Sequence, residues 1–157
     1  MDNFRTALLI FFLVSLDQLS KFLVTSYLNL GESIRVLPFL DFTLVYNLGI
    51  AFSMFNQGGN YSRWILVFLV LILVIYLLFL LLRKPINRHW EFPALLLIVS
   101  GGIGNLVDRV FLGYVIDFIH VHYMSYSFYV FNIADSLITL GIIYYLSYFF
   151  FIEKVKD

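Results

Sequence analysis

Long apolar runs separated by short polar connections dominate this chain, and the length of the runs decides what they are. Four of them, roughly Phe4 to Leu28, Ile65 to Leu82, Phe92 to Phe111 and Phe131 to Ile152, suit helices that cross a bilayer, because the hydrocarbon core is crossed by about 20 residues of helix. The first run is too long for the apolar part of a signal peptide, holds Asp17 and Lys21, and is followed by no small-residue cleavage site. It is therefore expected to stay attached. Between the first two runs, "PFLDFTLVYNLGIAF" sets Leu40, Phe42, Leu44 and Tyr46 against Asp41, Thr43, Val45 and Asn47, a period of two that ends at Gly49. That alternation predicts a short strand or hairpin. The expected fold is an all-α membrane protein with four transmembrane helices and a small extracytoplasmic β-sheet between helices 1 and 2.

Composition strengthens this picture. Of 157 residues, 62% are hydrophobic and 13% charged, and the mean hydropathy is +0.93. A soluble domain is about 45–50% apolar and about 25% charged, so this chain has too little polar surface to face water all round. No Pro/Gly/Ser-rich linker or repeat divides it, which predicts one integral-membrane domain over 1–157. The formal net charge is zero and no basic run suggests nucleic acid. Cysteine is absent, so the chain offers no disulfide, thiolate metal site or cysteine nucleophile.

Lysine and arginine in short flanks set the expected orientation. Arg83, Lys84 and Arg88 lie between the second and third runs, and Lys154 and Lys156 follow the fourth. Both termini and that connection are expected in the cytoplasm. With this orientation Asp17 and Lys21, Asn105, Asp108 and Arg109, Asp117, and Asn132 and Asp135 all fall near the outer interface. An ionised group facing lipid costs several kcal/mol, so such groups must face one another or water.

Each candidate carries two readings. Asp17 and Lys21 are spaced i, i+4 with the acid first, the favourable order for an ion pair, and a lysine so paired makes a poor base for Ser20. Gly101, Asn105 and Asp108 share one helical face; Ser100 and Gly104 permit close helix approach. Asp108 beside Arg109 suits a charge network, and Arg109 also suits a substrate carbonyl. Asp117 and Asp135 have no nearby cation in sequence. Two carboxylates facing each other at a site of low dielectric share a proton, the arrangement of aspartic proteases. Membrane acids also build proton or ion pathways, so a transporter relay through Asp17, Asp108, Asp117 and Asp135 stays open. So does a scaffold in which Asp108 and Arg109 only join helices. His120 and His122 with Asp117 form a weak metal pattern, and as interfacial groups among tyrosines they fit an aromatic belt equally. No metal or cofactor is expected.

Taken in order, "DQLSK" (17–21), "YNLGIAF" (46–52), "GNLVDR" (104–109), "VIDF" (115–118) and "FNIAD" (131–135) resemble the motif set of the lipoprotein signal peptidases, or signal peptidase II, of bacteria. The resemblance spans essentially the whole chain, with Ser100 replacing a glycine often found there. It implies an aspartyl endopeptidase of the bacterial cytoplasmic membrane that removes the signal peptide of diacylglyceryl-modified prolipoproteins, cutting just before the lipid-bearing cysteine. It further implies that Asp117 and Asp135 are the catalytic pair. By the same resemblance Asn47, Asn105, Asp108, Arg109 and Asn132 support the site or contact substrate and globomycin-type inhibitors, and Asp17 and Lys21 form the first motif. Membrane lipid is an implied partner.

Overall fold

The computed structural model describes residues 3–49, 60–83 and 91–151, and within them lie four helices and four strands. In chain order they are α1 (Asn3–Tyr27), β1 (Ser33–Leu37), β2 (Leu40–Asn47), α2 (Asn60–Leu82), α3 (Glu91–Phe111), β3 (Val115–Tyr123), β4 (Tyr126–Ser127) and α4 (Ile133–Phe151). The end of the YNLGIAF motif, the cations Lys84 and Arg88, and Lys154 and Lys156 lie outside the described residues.

Three of the helices, α1, α2 from Arg63, and α3, are long and apolar enough to cross a membrane, while α4 is apolar but shorter, Ile133–Tyr148. About half of α3 is buried, against 11% of α1 and 17% of α2, so α3 is the central helix. Leu81, Leu96 and Val99 form the core at one end, with Ile10 and Leu13 of α1 packed against them. Outward faces carry Phe11, Phe22, Phe68 and Phe79, each more than 60% exposed. In water such a surface would drive association; against lipid tails it costs nothing.

Helix crossings are set by missing side chains. A Cβ on Gly101 would strike the Ala134 carbonyl, and one on Gly104 would lie 2.6 Å from Asp17 Oδ2. Gly141 approaches Ala94 and Ile98 in the same way. These contacts bring α4 against α3 at backbone distance.

The sheet is larger than the expected one. It is antiparallel in the order β1-β2-β3-β4, so only half of it comes from the connection after α1, and β3 and β4 come from between α3 and α4. The period-two signal in β3 is obscured because Val115, Ile116, Asp117 and Phe118 are all buried, leaving no polar face to alternate with. Leu28, Leu44 and Ile116 form a second core beneath the strands. After β4 the chain returns along β3: Phe118 and Ile119 N–H both donate to Phe131 O, at 3.0 and 2.7 Å. This return delivers Asn132 and the start of α4 beside Asp117.

Candidate active site

Four acids gather where the C-terminal half of α1, the end of α3, β3 and the start of α4 meet, and they fall into two pairs by what holds them. Asp17 and Asp108 share Lys21, whose Nζ is 2.8 Å from Asp17 Oδ2 and 2.8 Å from Asp108 Oδ2. Asp17 and Lys21 are 0% and 1% exposed, so this three-charge group sits in protein interior. Such a group persists only with its remaining donors and acceptors satisfied, and they are: Gln18 Nε2 donates to Asp17 and Asp108 at 3.2 and 2.9 Å, and Ile116 N–H to Asp108 Oδ2 at 3.1 Å. Asp108 thus pairs with Lys21 of α1, and not with its neighbour Arg109.

Asp17 also reaches α4. Its Oδ1 accepts the Ala134 N–H at 2.8 Å, one of the four N–H groups that a helix start leaves unpaired. Asn132 caps the same end, its Oδ1 accepting Asp135 N–H at 2.8 Å, while the Asp135 carboxylate accepts Asn132 N–H at 3.4 Å. This reciprocal pair is a capping box with Asn and Asp in place of the usual Ser/Thr and Glu.

The other two acids are held only by amides. Asp117 Oδ2 accepts Asn47 Nδ2 at 2.8 Å, and its Oδ1 accepts Asn132 Nδ2 at 2.6 Å. Asp135 Oδ1 accepts Asn105 Nδ2 at 2.7 Å. Asn105 Oδ1 in turn accepts Lys21 Nζ at 3.2 Å and Asn132 Nδ2 at 3.1 Å, which fixes its amide orientation. Asn132 therefore touches both carboxylates, Asp117 through its side chain and Asp135 through its backbone. No hydrogen bond joins the two acids directly among the described residues.

Burial pushes the Asp117 carboxyl up to about 6; the Asn47 hydrogen bond opposes this, the charge of Asp135 adds to it, and Asn132 and Lys21 oppose it. Asp135 lines a cavity of about 510 Å³, walled by Phe128 to Phe131 and by Ser136, Thr139 and Leu140 of α4. The cavity connects the carboxylate with the exposed apolar surface of Phe128 and Leu140. Arg109 stands beside the pair, its charge acting on Asp135, Asp117 and Asp108. Its Nε is buried without a hydrogen-bond partner.

The family model of signal peptidase (SPase) II matches residues 9–151. The chain belongs to the signal peptidase II family. Relatives named lipoprotein signal peptidase include one from Acinetobacter baumannii, 45% identical over 91% of this chain and 81% of its own. Another, from Streptococcus pyogenes, is 42% identical over 83% of each chain. Two solved structures share the fold, each described as a bacterial membrane enzyme solved by the in meso method. One superposes with a TM-score of 0.83 at 28% identity over 96% of this chain and 95% of its own. The other has a TM-score of 0.73 at 32% identity over 92% and 86%.

Membership of this family makes the chain a membrane peptidase, and the geometry does not assemble the residue sets that two rival sequence readings need. Ser20 Oγ donates to the Asp17 carbonyl of its own helix at 2.6 Å, and Lys21 is neutralised twice over, so a Ser–Lys mechanism has neither nucleophile nor base in place. His120 and His122 gather round Asp41 of β2, 4.0 and 3.1 Å from its Oδ2, and not round Asp117; among the described residues no three His, Cys, Asp or Glu form a metal-holding group. Two contributors were missed from sequence. Gln18 lay inside the first motif but carried no charge to mark it. Arg63 donates through Nε to the Arg109 carbonyl at 2.9 Å and through its guanidinium to the Val110 carbonyl, capping the end of α3. Beside it the chain turns at Gly113, φ +91°, where a Cβ would meet the guanidinium. An arginine 46 residues before its partner leaves no local signal.

Proposed function

We propose that this member of the signal peptidase II family removes signal peptides from diacylglyceryl-modified prolipoproteins, cutting immediately before the lipid-bearing cysteine, with Asp117 and Asp135 activating one water. The observation that carries the reading is the division of the acids: Lys21 neutralises Asp17 and Asp108, while Asp117 and Asp135 are tied by neutral amides that orient them. Among the described residues only the second pair has no cation within ion-pair distance.

In the proposed reaction the pair holds one proton. The ionised carboxylate takes a proton from water as the water oxygen bonds to the scissile carbonyl carbon, and the protonated carboxyl polarises that carbonyl. Collapse then breaks the C–N bond, and a proton from the pair goes to the leaving nitrogen. Arg109, with a buried unpartnered Nε, offers a permanent positive donor to the carbonyl oxygen. The cavity beside Asp135 gives a substrate held in lipid a lateral way to the carboxylate, and tethering in the membrane supplies much of the positioning. Globomycin-type inhibitors would occupy the same cavity.

The placement that goes with this function is a bacterial cytoplasmic membrane crossed by all four helices, with both termini in the cytoplasm and the site near the outer leaflet. The relatives named lipoprotein signal peptidase support the substrate class. The deciding experiment assays purified Asp117→Asn and Asp135→Asn variants on a lipidated precursor and its unlipidated counterpart. Each variant should lose cleavage by a factor of about 10³ or more while keeping its helical content. Turnover within about tenfold of the parent protein in either variant would overturn the assignment, and equal cleavage of the unlipidated precursor would overturn the substrate class.

A further inference from the structure

A second cavity, of about 450 Å³, lies at the opposite end of the helices, between α2, α3 and α4. It is lined by Leu77, Leu80, Leu95 and Ile98, with Arg83, Glu91 and Tyr145 as its polar residues. Its depth follows from α3. Glu91 and Asp108 are 17 residues apart, about 25 Å along the helix, which puts Glu91 at the headgroup layer facing away from the acid pairs. From Glu91 to Ile98 the apolar lining runs about 10 Å into the hydrocarbon. Arg63 and Arg83 bracket the uncharged run of α2, which fixes the same depth for the Arg83 end.

Two of the lining residues, Leu77 and Leu95, also pack against the core of Leu81, Leu96 and Val99, so the cavity is a gap left between packed helices. In a bilayer it has to be filled, and its contents must be apolar inside and polar at the rim. The rim carries both signs of charge. Arg83 is a donor for a phosphate diester, and the Glu91 carboxylate, which also has partners within the fold, accepts from an ammonium group. An anionic headgroup would meet only one of these favourably.

We propose that this cavity is a binding site for a phospholipid whose headgroup carries an amine, its phosphate on Arg83, its ammonium on Glu91 and an acyl chain along Leu77, Leu80, Leu95 and Ile98. The site is separate from the cavity at Asp135 and does not rest on the proposed peptidase mechanism.

Native mass spectrometry of the delipidated full chain in detergent tests it, with phosphatidylethanolamine, phosphatidylglycerol and diacylglycerol of matched chains. One phosphatidylethanolamine should be retained per chain, with diacylglycerol weaker by a factor of about ten or more. Arg83→Ala and the cavity-filling Leu80→Trp should each weaken retention by a similar factor, and Glu91→Gln should abolish the preference for phosphatidylethanolamine over phosphatidylglycerol. Millimolar inorganic phosphate should not displace the lipid. Equal binding of diacylglycerol, displacement by phosphate, or wild-type retention in Arg83→Ala would overturn the proposal; because Arg83 is exposed, that variant reports even if Leu80→Trp fails to fold.

Discussion

Asp117 is 1% exposed, and its proposed role requires it to share a proton. Its carboxyl, pushed up to about 6 by burial, binds a proton more tightly in the folded protein than in the unfolded chain. Its contribution to stability is therefore complete below the ordinary carboxylate range and is lost as pH rises through about 6. Thermal unfolding in detergent should show the parent protein losing up to about 3 kcal/mol relative to Asp117→Asn between pH 4 and 7. Parallel pH profiles for the two proteins would show that Asp117 titrates normally. Lys21 responds differently because it serves two acids. Lys21→Met leaves Asp17 and Asp108 buried without a cation, and removal of one partner from such a group costs about 3–5 kcal/mol. A melting temperature unchanged from the parent would refute this account of the three-charge group.

At the scale of elements, the site depends on how closely α3 and α4 approach. Gly104 meets Asp17 Oδ2 and Ala134, whereas Gly102, on another face, meets only the end of Val74. Alanine at either position gains about 1 kcal/mol of helix propensity. At Gly102 the methyl would lie 2.9 Å from Val74 Cγ2, whose β-branched side chain has little rotamer freedom in a helix, so a small shift of α2 offsets the propensity gain and stability should stay near the parent value. At Gly104 the methyl pushes on Asp17 Oδ2, the oxygen paired with Lys21, and so shifts the whole carboxylate, costing about 1–3 kcal/mol, and it should reduce cleavage more than Gly102→Ala does. Equal melting temperatures and equal cleavage rates for the two variants would refute this account of the crossing. The same elements show what could be read from sequence. The Asp17–Lys21 pair was visible because its spacing is one helical turn. Lys21 with Asp108 was not, since a contact across 87 residues depends on crossings set by Gly101 and Gly104. The β2 strand announced itself by alternation; β3 did not, because both its faces are buried at the start. Asn132 stood out within its motif, but its double role as helix cap and link between two acids needed the return of the chain along β3.

At the scale of the whole molecule, the sheet, the acids and the starts of α2 and α4 lie at one end, and the phospholipid cavity with Arg83 lies at the other. A polar end of this kind fixes which residues share a headgroup layer without saying which layer faces the cytoplasm. The proposed side rests on Arg83, Lys84 and Arg88 in one connection, because positively charged flanks favour the cytoplasmic side. The absence of cysteine makes the test direct, since any introduced thiol is the only one. Tyr126 is 80% exposed on β4. Tyr126→Cys should react in intact spheroplasts with a thiol reagent that cannot cross the membrane. Asn87→Cys, in the charged connection, should react only after the membrane is opened. The reverse pattern would put the acid pairs on the cytoplasmic side, where a lipidated precursor exported across the membrane no longer presents its cleavage point, and the proposed reaction would lose its substrate.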